Sequence, residues 1–144
     1  MRAKKSYGQH FLNNDSIAER IADALQPDGQ YQKVLEVGPG RGMLTQFLLD
    51  KPYELFVVEA DRDMVSHLQK HYPGLKEHLI SADFLKVPLD KVFDQAFGLI
   101  GNFPYNISSQ ILFQMLRYKE LIPEMVGMFQ KEVAERVVAG PGSK

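Results

Sequence analysis

The amino-acid sequence predicts an α/β fold built on a doubly wound, mostly parallel sheet of the Rossmann-like type. Short apolar segments of strand length alternate with amphipathic segments of helix length along the chain. A glycine-rich turn directly follows the first of these strands, as in sheets that bind ligands at their carboxyl edge. The 144 residues suffice for one core but not comfortably for two, so one domain is expected.

Composition narrows the class of protein. The 17 basic and 18 acidic residues balance, so any nucleic-acid surface must be local. Without cysteine the chain has neither disulfides nor thiolate metal sites. It also lacks an apolar run near the roughly 20 residues of a membrane span, and its N-terminus lacks the apolar segment of a secretion signal. A soluble, cytoplasmic protein without a membrane partner is expected.

The predicted elements alternate between helix and strand. In chain order they are a helix over 15–25, a strand over 33–37, a helix over 43–49, a strand over 55–59, a helix over 63–72, a strand near 78–81, a strand over 97–101, a helix over 109–118, a strand over 125–129 and a helix over 131–139. Five strands with interleaved helices imply parallel pairing. Residues 140–144 have a loop composition just after a helix that should lead into another strand, which indicates a domain truncated before its last strands.

The turn after the first strand contains three closely spaced glycines, Gly38, Gly40 and Gly42. Backbone without side chains lets a ligand approach closely. A dinucleotide fingerprint would place its third glycine one position later, where Met43 stands, which disfavours NAD and FAD. No Gly-Lys-Ser/Thr sequence closes the turn, so a P-loop for nucleoside triphosphates is excluded.

Acidic residues follow the next two strands. Glu59 ends the second strand, where a carboxylate can accept hydrogen bonds from both hydroxyls of a ribose. Asp83 lies just past the third strand and can accept a hydrogen bond from an adenine amino group, while Phe84 can pack on the ring. Together with the glycine turn, these residues predict a pocket for adenosine without pyrophosphate. Taken singly, each acid could equally be a solvated loop residue.

The fourth strand ends in Asn102, followed by Phe103, Pro104 and Tyr105. A purine amino group is a poor nucleophile because its lone pair is delocalised into the ring. The Asn102 side-chain carbonyl and the Pro104 backbone carbonyl can accept hydrogen bonds from the two N–H groups of this amine. These bonds would turn its lone pair toward a methyl donor. Tyr105 can stack on the extruded base. The alternative is a strand-end turn that Asn102 caps and Pro104 stiffens.

Two histidines four residues apart, His67 and His71, could pair as metal ligands on the predicted helix. No glutamate follows His67 and no third ligand is evident in the sequence. A solvated helix face is therefore the preferred interpretation, and no metal is expected.

Three motifs resemble those of the ribosomal RNA adenine N6,N6-dimethyltransferases. Residues 8–12 (GQHFL) are similar to the family's N-terminal cofactor motif, residues 36–42 (EVGPGRG) to its glycine loop, and residues 102–105 (NFPY) to its target-amine motif. The resemblance covers essentially the whole chain. Further similarity, over residues 101–109 and 130–136, is to the branch that modifies small-subunit rRNA. The sequence departs from the family in having His10 where many members have Asn, and Phe103 where many have Leu.

The resemblance implies S-adenosyl-L-methionine as the cofactor and S-adenosyl-L-homocysteine as its product. It places His10 and Leu12 at the methionine part of the cofactor and Gly38 against its backbone. The implied cofactor residues are Gln9, His10, Leu12, Glu36, Gly38, Gly40, Glu59, Asp83, Phe84 and Asn102. The implied catalytic residues are Asn102, Pro104 and Tyr105.

The resemblance further implies dimethylation of two adjacent adenosines in the 3′-terminal hairpin loop of 16S rRNA during small-subunit biogenesis. The expected partner is 16S rRNA in the small subunit or its precursor, and the protein is expected to be a monomer. Residues 1–144 would be the N-terminal part of the catalytic domain, without the family's last strands and RNA-contacting C-terminal helical domain. Two alternatives stay open: a 23S rRNA adenine methylase of the macrolide-resistance type, and a non-catalytic RNA-binding assembly factor that keeps the cofactor fold.

Overall fold

The computed structural model describes residues 15–103, 108–129 and 133–138 of the chain. Its strands are β1 (Lys33–Val37), β2 (Glu54–Glu59), β3 (Leu79–Ser81), β4 (Phe97–Asn102), β5 (Glu124–Phe129) and β6 (Val133–Val138). Its helices are α1 (Asp15–Ala22), α2 (Thr45–Leu48), α3 (Arg62–His71), α4 (Leu89–Val92) and α5 (Ser108–Arg117), with 3₁₀ turns at Lys76–His78 and Phe84–Lys86. The predicted alternation of helix and strand is present from α1 to β5.

The strands of the described residues form one sheet in the order β3-β2-β1-β4-β5-β6. Neighbouring strands are parallel from β3 to β5, and β6 pairs with β5 in the antiparallel sense. The chain moves outward from β1 to β2 and β3, then returns to the other side of β1 for β4 and β5. The predicted doubly wound, mostly parallel sheet is confirmed, and its change of direction lies between β1 and β4.

The helix predicted over residues 131–139 is wrong, because Val133–Val138 forms β6. In its register with β5, Arg136 lies opposite Val126 and Glu135 opposite Gly127. The segment contains three valines, whose β-branched side chains favour strands over helices. Pairing also satisfies the backbone groups along the edge of β5. The described sheet therefore has six strands, where five were predicted.

Successive side chains of the central strands point to opposite faces of the sheet, so the strands contribute to two hydrophobic clusters. On β1, Val34 belongs to the first cluster and Leu35 to the second; on β4, Ile100 and Leu99 divide in the same way. Helical residues of the first cluster include Ala18, Ile21, Ala22 and Leu48, and those of the second include Leu89, Ile111 and Met115. Both faces of the parallel sheet are thus covered.

A buried carboxylate lies near the amino-terminal end of the parallel strands. Glu124, the first residue of β5, accepts hydrogen bonds at Oε1 from the Tyr31 hydroxyl at 2.7 Å and the Gln26 backbone N–H at 2.8 Å. These donors satisfy a polar group that is only 2% exposed. The Tyr31 ring lies so close to Gly98 of β4 that a Cβ there would come within 2.7 Å of it. The absence of a side chain at position 98 thus leaves room for the Tyr31 ring beside β4.

We predict that Gly98→Ala lowers the free energy of unfolding by about 1–3 kcal/mol, because the added methyl group displaces the Tyr31 ring. Urea denaturation of the full-length protein measures this loss. Gly74→Ala is the matched control, since a Cβ at that position meets nothing within 4 Å. Unchanged stability of Gly98→Ala would show that the ring moves aside without cost.

Candidate active site

The register of the parallel strands brings several predicted site residues to one edge of the sheet. Val37 pairs with Val58 on β2 and with Gly101 on β4. The residues that follow these three positions, Gly38, Glu59 and Asn102, therefore reach the same edge. Glu59 in turn pairs with Ser81 of β3, two residues before Asp83. The predicted strand ends indicated that these residues lie at one edge of the sheet, and the sheet order agrees with this.

The glycine turn leaves β1 in a conformation that side chains disfavour. Gly38, Gly40 and Gly42 adopt φ values of +65°, +59° and +95°. All three lie in the left-handed region, where a Cβ adds strain. The turn is closed by hydrogen bonds from the Gly38 N–H to the Val58 carbonyl and from the Gly42 N–H to the Pro39 carbonyl, each 2.9 Å. Of the three glycines, Gly38, directly after β1, is the one with exposed backbone.

Glu59 at the end of β2 is tied to this turn. Its Oε1 accepts a hydrogen bond from the Gly40 backbone N–H at 3.1 Å, and its Oε2 accepts one from the Asp61 backbone N–H at 2.9 Å. A carboxylate has about four lone-pair positions, so these two bonds leave acceptor capacity for further donors such as a pair of hydroxyls. Glu59 is 8% exposed, so its orientation is set by these backbone groups rather than by water.

Asp83 and Phe84 take different roles in the structure. The exposed Asp83 caps the 3₁₀ turn Phe84–Lys86, its Oδ1 accepting a hydrogen bond from the Leu85 N–H at 3.0 Å. Its carboxylate has room for another donor. Phe84 is only 5% exposed and packs in the second hydrophobic cluster. In the structure it is therefore part of the core, and its packing on an adenine ring stays a prediction.

Asn102 is the last residue of β4 and is partly exposed at the sheet edge. It lies directly beyond Gly101, the partner of Val37, so it stands beside the start of the glycine turn. Five further residues predicted for the site lie outside the described residues. These are Gln9, His10 and Leu12 of the N-terminal motif, and Pro104 and Tyr105 of the target-amine motif.

Glu36 stands on β1 directly before the turn and is 1% exposed. Its Oε1 accepts a hydrogen bond from the Thr45 hydroxyl of α2 at 2.5 Å. Burial raises the pKa of Glu36 from 4.5 to about 8; the bond from Thr45 opposes this rise, and the charge of Glu59 adds to it. Glu36 therefore carries a proton at neutral pH. It connects β1 to α2 beneath the turn, a part that sequence reasoning did not assign to it.

Helix α3 contributes contacts that the sequence interpretation missed. The His67 and His71 rings stack at 4.0 Å, and His67 Nε2 lies 3.2 Å from the Arg41 carbonyl of the turn. His71 is exposed and His67 partly exposed, in line with the predicted solvated helix face, but His67 also contacts the turn. Tyr72 donates from its hydroxyl to the Gly42 carbonyl at 3.3 Å. No local sequence signal marks these contacts, because they join residues 26 to 30 positions apart.

One neighbouring contact did have a sequence signal. Asp61 accepts hydrogen bonds at Oδ1 from the backbone N–H groups of Asp63 and Met64, at 2.8 and 3.2 Å, and so caps α3. An aspartate just before a helical pattern is a typical N-cap. Within the described ranges, no three metal-ligating side chains gather, and no helix has the length and apolar character to cross a membrane.

Solved structures define the class of the fold. The 23S rRNA methyltransferase ErmE matches with a TM-score of 0.64 and 28% identity, over 81% of this chain and 46% of that one. A dimethyladenosine transferase from Plasmodium falciparum matches with a TM-score of 0.59 and 30% identity, over 81% of this chain and 42% of that one. Both likenesses place the chain among the Rossmann-like methyltransferases.

Sequence comparison identifies the family. The model of the ribosomal RNA adenine dimethylase family matches residues 1–144, and the chain belongs to that family. The ribosomal RNA small subunit methyltransferase A of Flavobacterium johnsoniae is 54% identical over 145 aligned positions. The alignment covers 100% of this chain and 55% of that relative, so the chain spans about half the length of the curated relative it matches. The predicted family resemblance is confirmed.

The raised pKa of Glu36 generates a prediction about stability and pH. Between pH 4.5 and about 8 the folded state keeps a proton that the unfolded state releases, so this group's contribution to stability is lost as the pH rises through that window. Glu36→Gln imitates the protonated side chain and removes the titration. We expect the stability of Glu36→Gln relative to wild type to rise by a few kcal/mol, to order of magnitude, between pH 5 and 8.

Urea denaturation of the full-length protein at a series of pH values measures this difference. The exposed Glu77 of the 3₁₀ turn provides the control, because Glu77→Gln should leave the pH dependence of stability close to that of wild type. A stability difference between Glu36→Gln and wild type that stays constant from pH 5 to 9 would contradict a neutral Glu36.

Proposed function

We propose that the protein dimethylates N6 of two adjacent adenosines in the 3′-terminal hairpin loop of 16S rRNA during small-subunit biogenesis, with S-adenosylmethionine as the methyl donor. The observation that carries this proposal is the strand register that gathers Gly38, Glu59 and Asn102 at one sheet edge. Family membership supports it, because it narrows the chemistry of such an edge to adenine methylation. The proposed partner is 16S rRNA in the small subunit or its precursor. The protein is proposed to act as a monomer in the cytoplasm.

The described residues fit the adenosine part of the cofactor. The exposed backbone of Gly38 allows close approach, and Glu59 has acceptor capacity for the two ribose hydroxyls. Asp83 can accept a hydrogen bond from the adenine amino group while it caps its own turn. Glu36 would act beneath the turn through Thr45. When bound, S-adenosylmethionine supplies an electrophilic methyl group and leaves as S-adenosylhomocysteine.

Asn102 is proposed to orient the target amine. Its side-chain carbonyl and the Pro104 backbone carbonyl would accept the two N–H bonds of the adenine amino group, so that the nitrogen lone pair faces the methyl carbon. Bound against the glycine turn, the cofactor would supply the methyl carbon to which this nitrogen bonds, and the methylated amine would then lose a proton to solvent. Tyr105 would stack on the base, which is worth roughly 1–3 kcal/mol and offsets extrusion from a loop.

The small-subunit substrate is favoured over the 23S alternative by degree of similarity. The relative named as a small-subunit methyltransferase shares 54% identity with the chain. The 23S rRNA methyltransferase shares 28% over 81% of the chain. The assembly-factor alternative is disfavoured because the family model that matches the whole chain is that of adenine dimethylases, and the 54% identical relative is named a methyltransferase.

The central test maps methylated bases after the full-length protein is incubated with immature small subunits and labelled cofactor. We expect label on two adjacent adenosines of 16S rRNA. Asn102→Ala should slow transfer on the order of 100-fold, because the amine loses its orientation. Gln95→Ala, at an exposed position before β4, is the control and should transfer at the wild-type rate.

Each contrary result points to a different error. Label confined to 23S rRNA would overturn the substrate. Transfer that is insensitive to Asn102→Ala would remove that residue from the mechanism. An intact protein that binds the subunit but transfers no methyl group would favour the assembly factor.

The role of Glu59 can be tested by a thermodynamic cycle. Glu59→Ala should weaken binding of S-adenosylhomocysteine roughly 10- to 150-fold, as expected for the loss of a hydrogen bond to a charged group. An analogue that lacks one ribose hydroxyl should bind wild type more weakly, but Glu59→Ala about equally well. Titration calorimetry on the full-length protein provides the affinities, with Glu77→Ala as the control. Additive losses would show that Glu59 shapes the turn without touching the ribose.

A further inference from the structure

The far end of the glycine turn is held from outside by a neighbouring helix. His67 Nε2, on α3, lies 3.2 Å from the carbonyl oxygen of Arg41. The Tyr72 hydroxyl, one residue past the same helix, donates to the carbonyl oxygen of Gly42 at 3.3 Å. Two consecutive carbonyls of the turn thus lie within hydrogen-bond distance of side chains on α3 or directly after it. Each meets a side chain that can donate a hydrogen bond.

Tyr72 also fills the space beside Gly42. A Cβ at position 42 would lie 2.6 Å from Tyr72 Cε2 and 2.9 Å from its hydroxyl oxygen. The Gly42 carbonyl accepts a second hydrogen bond, from the Gln46 N–H at 3.0 Å, which starts α2. Tyr72 therefore packs against the residue at which the turn joins α2. A shift of its ring would alter both.

The start of α3 is also connected to the turn, through Glu59 and Gly40. Asp61 caps the helix through its side chain, while its backbone N–H donates to Glu59 Oε2 at 2.9 Å. Glu59 Oε1 accepts the Gly40 N–H at 3.1 Å. At the other end of α3, the Tyr72 N–H donates to the carbonyl of the fully buried Leu68 at 2.8 Å. The turn and α3 are thus linked at two places. Glu59 bonds to Gly40 of the turn and to Asp61 at the start of α3, and Tyr72 after the end of α3 bonds to Gly42.

We propose that His67 and Tyr72 are positioning residues for the cofactor, because they hold the glycine turn in its binding conformation before the ligand arrives. The proposal rests on the proposed function, since it assumes that the turn binds S-adenosylmethionine. A turn that contains three glycines has wide conformational freedom, so its contacts are needed to keep it in one conformation. The energy of reordering it would then be subtracted from the binding energy. For the contact to donate, His67 must carry a hydrogen on Nε2.

The test compares single variants in the full-length protein. His67→Leu and Tyr72→Phe should each weaken S-adenosylhomocysteine binding roughly 2- to 12-fold, the loss expected for one hydrogen bond. His67→Gln should recover most of the affinity, because its amide can donate to the Arg41 carbonyl. The KM for the cofactor should rise while kcat changes little. Controls are Gln69→Leu, an exposed site on α3, and Tyr118→Phe, which lies against the second cluster.

Hydrogen exchange without ligand gives a second, independent measurement. The Gly42 and Gln46 amides, which close the turn and begin α2, should exchange faster in His67→Leu and Tyr72→Phe than in wild type. Global stability in urea should stay near the wild-type value for both. Tyr72→Phe keeps the ring, so the fold should be retained.

The outcomes separate this proposal from the proposed function. Wild-type protein that fails to bind S-adenosylhomocysteine would overturn the proposed function. Wild-type binding with unchanged affinity and unchanged exchange in both variants would overturn the positioning role. A His67→Gln variant that binds no better than His67→Leu would also overturn the part assigned to His67.

Discussion

The buried carboxylate of Glu59 is the group on which the rest of the site depends. It accepts the Gly40 N–H on one side and the Asp61 N–H on the other. A carboxylate with so little exposure needs such donors, because an unpaired charge in this position would be strongly destabilising. The same two bonds fix the glycine turn beside β2 and set the start of α3. The turn, the strand end and the helix that supports them are therefore positioned by one side chain.

A second carboxylate close by is accommodated by losing its charge. Glu36 is buried one strand away, and the charge of Glu59 adds to the rise in its pKa. Two ionised carboxylates in so small a volume would repel each other, and protonation of Glu36 removes that repulsion. Neutral Glu36 can then connect β1 to α2 through Thr45. Of these two carboxylates, Glu59 is the one that stands at the sheet edge, where a ligand can reach it.

Local patterns predicted those parts of the fold that depend on nearby residues. The bounds of β1 agree with the structure, because an apolar run ends sharply at Gly38. The segment at Val133–Val138 was assigned wrongly, since short valine-containing runs fit either period and pairing with β5 decided the outcome. The strand ends located Glu59 and Asn102 correctly at one edge. His67 and Tyr72 could not be found in this way, because their contacts with the turn depend on how α3 packs.

The sheet order separates the two substrates of the proposed reaction. Glu59 and Asp83 follow β2 and β3 on one side of β1, whereas Asn102 follows β4 on the other. Adjacent strands are about 4.8 Å apart, so β2 and β4, which flank β1, are separated by about 10 Å. The glycine turn after β1 lies between the ends of these two strands. In the proposed reaction, a cofactor whose adenosine bound beside β2 and β3 would extend across this turn, with its methyl group on the side of β4. Asn102, at the end of β4, would then be the site residue nearest to that methyl group.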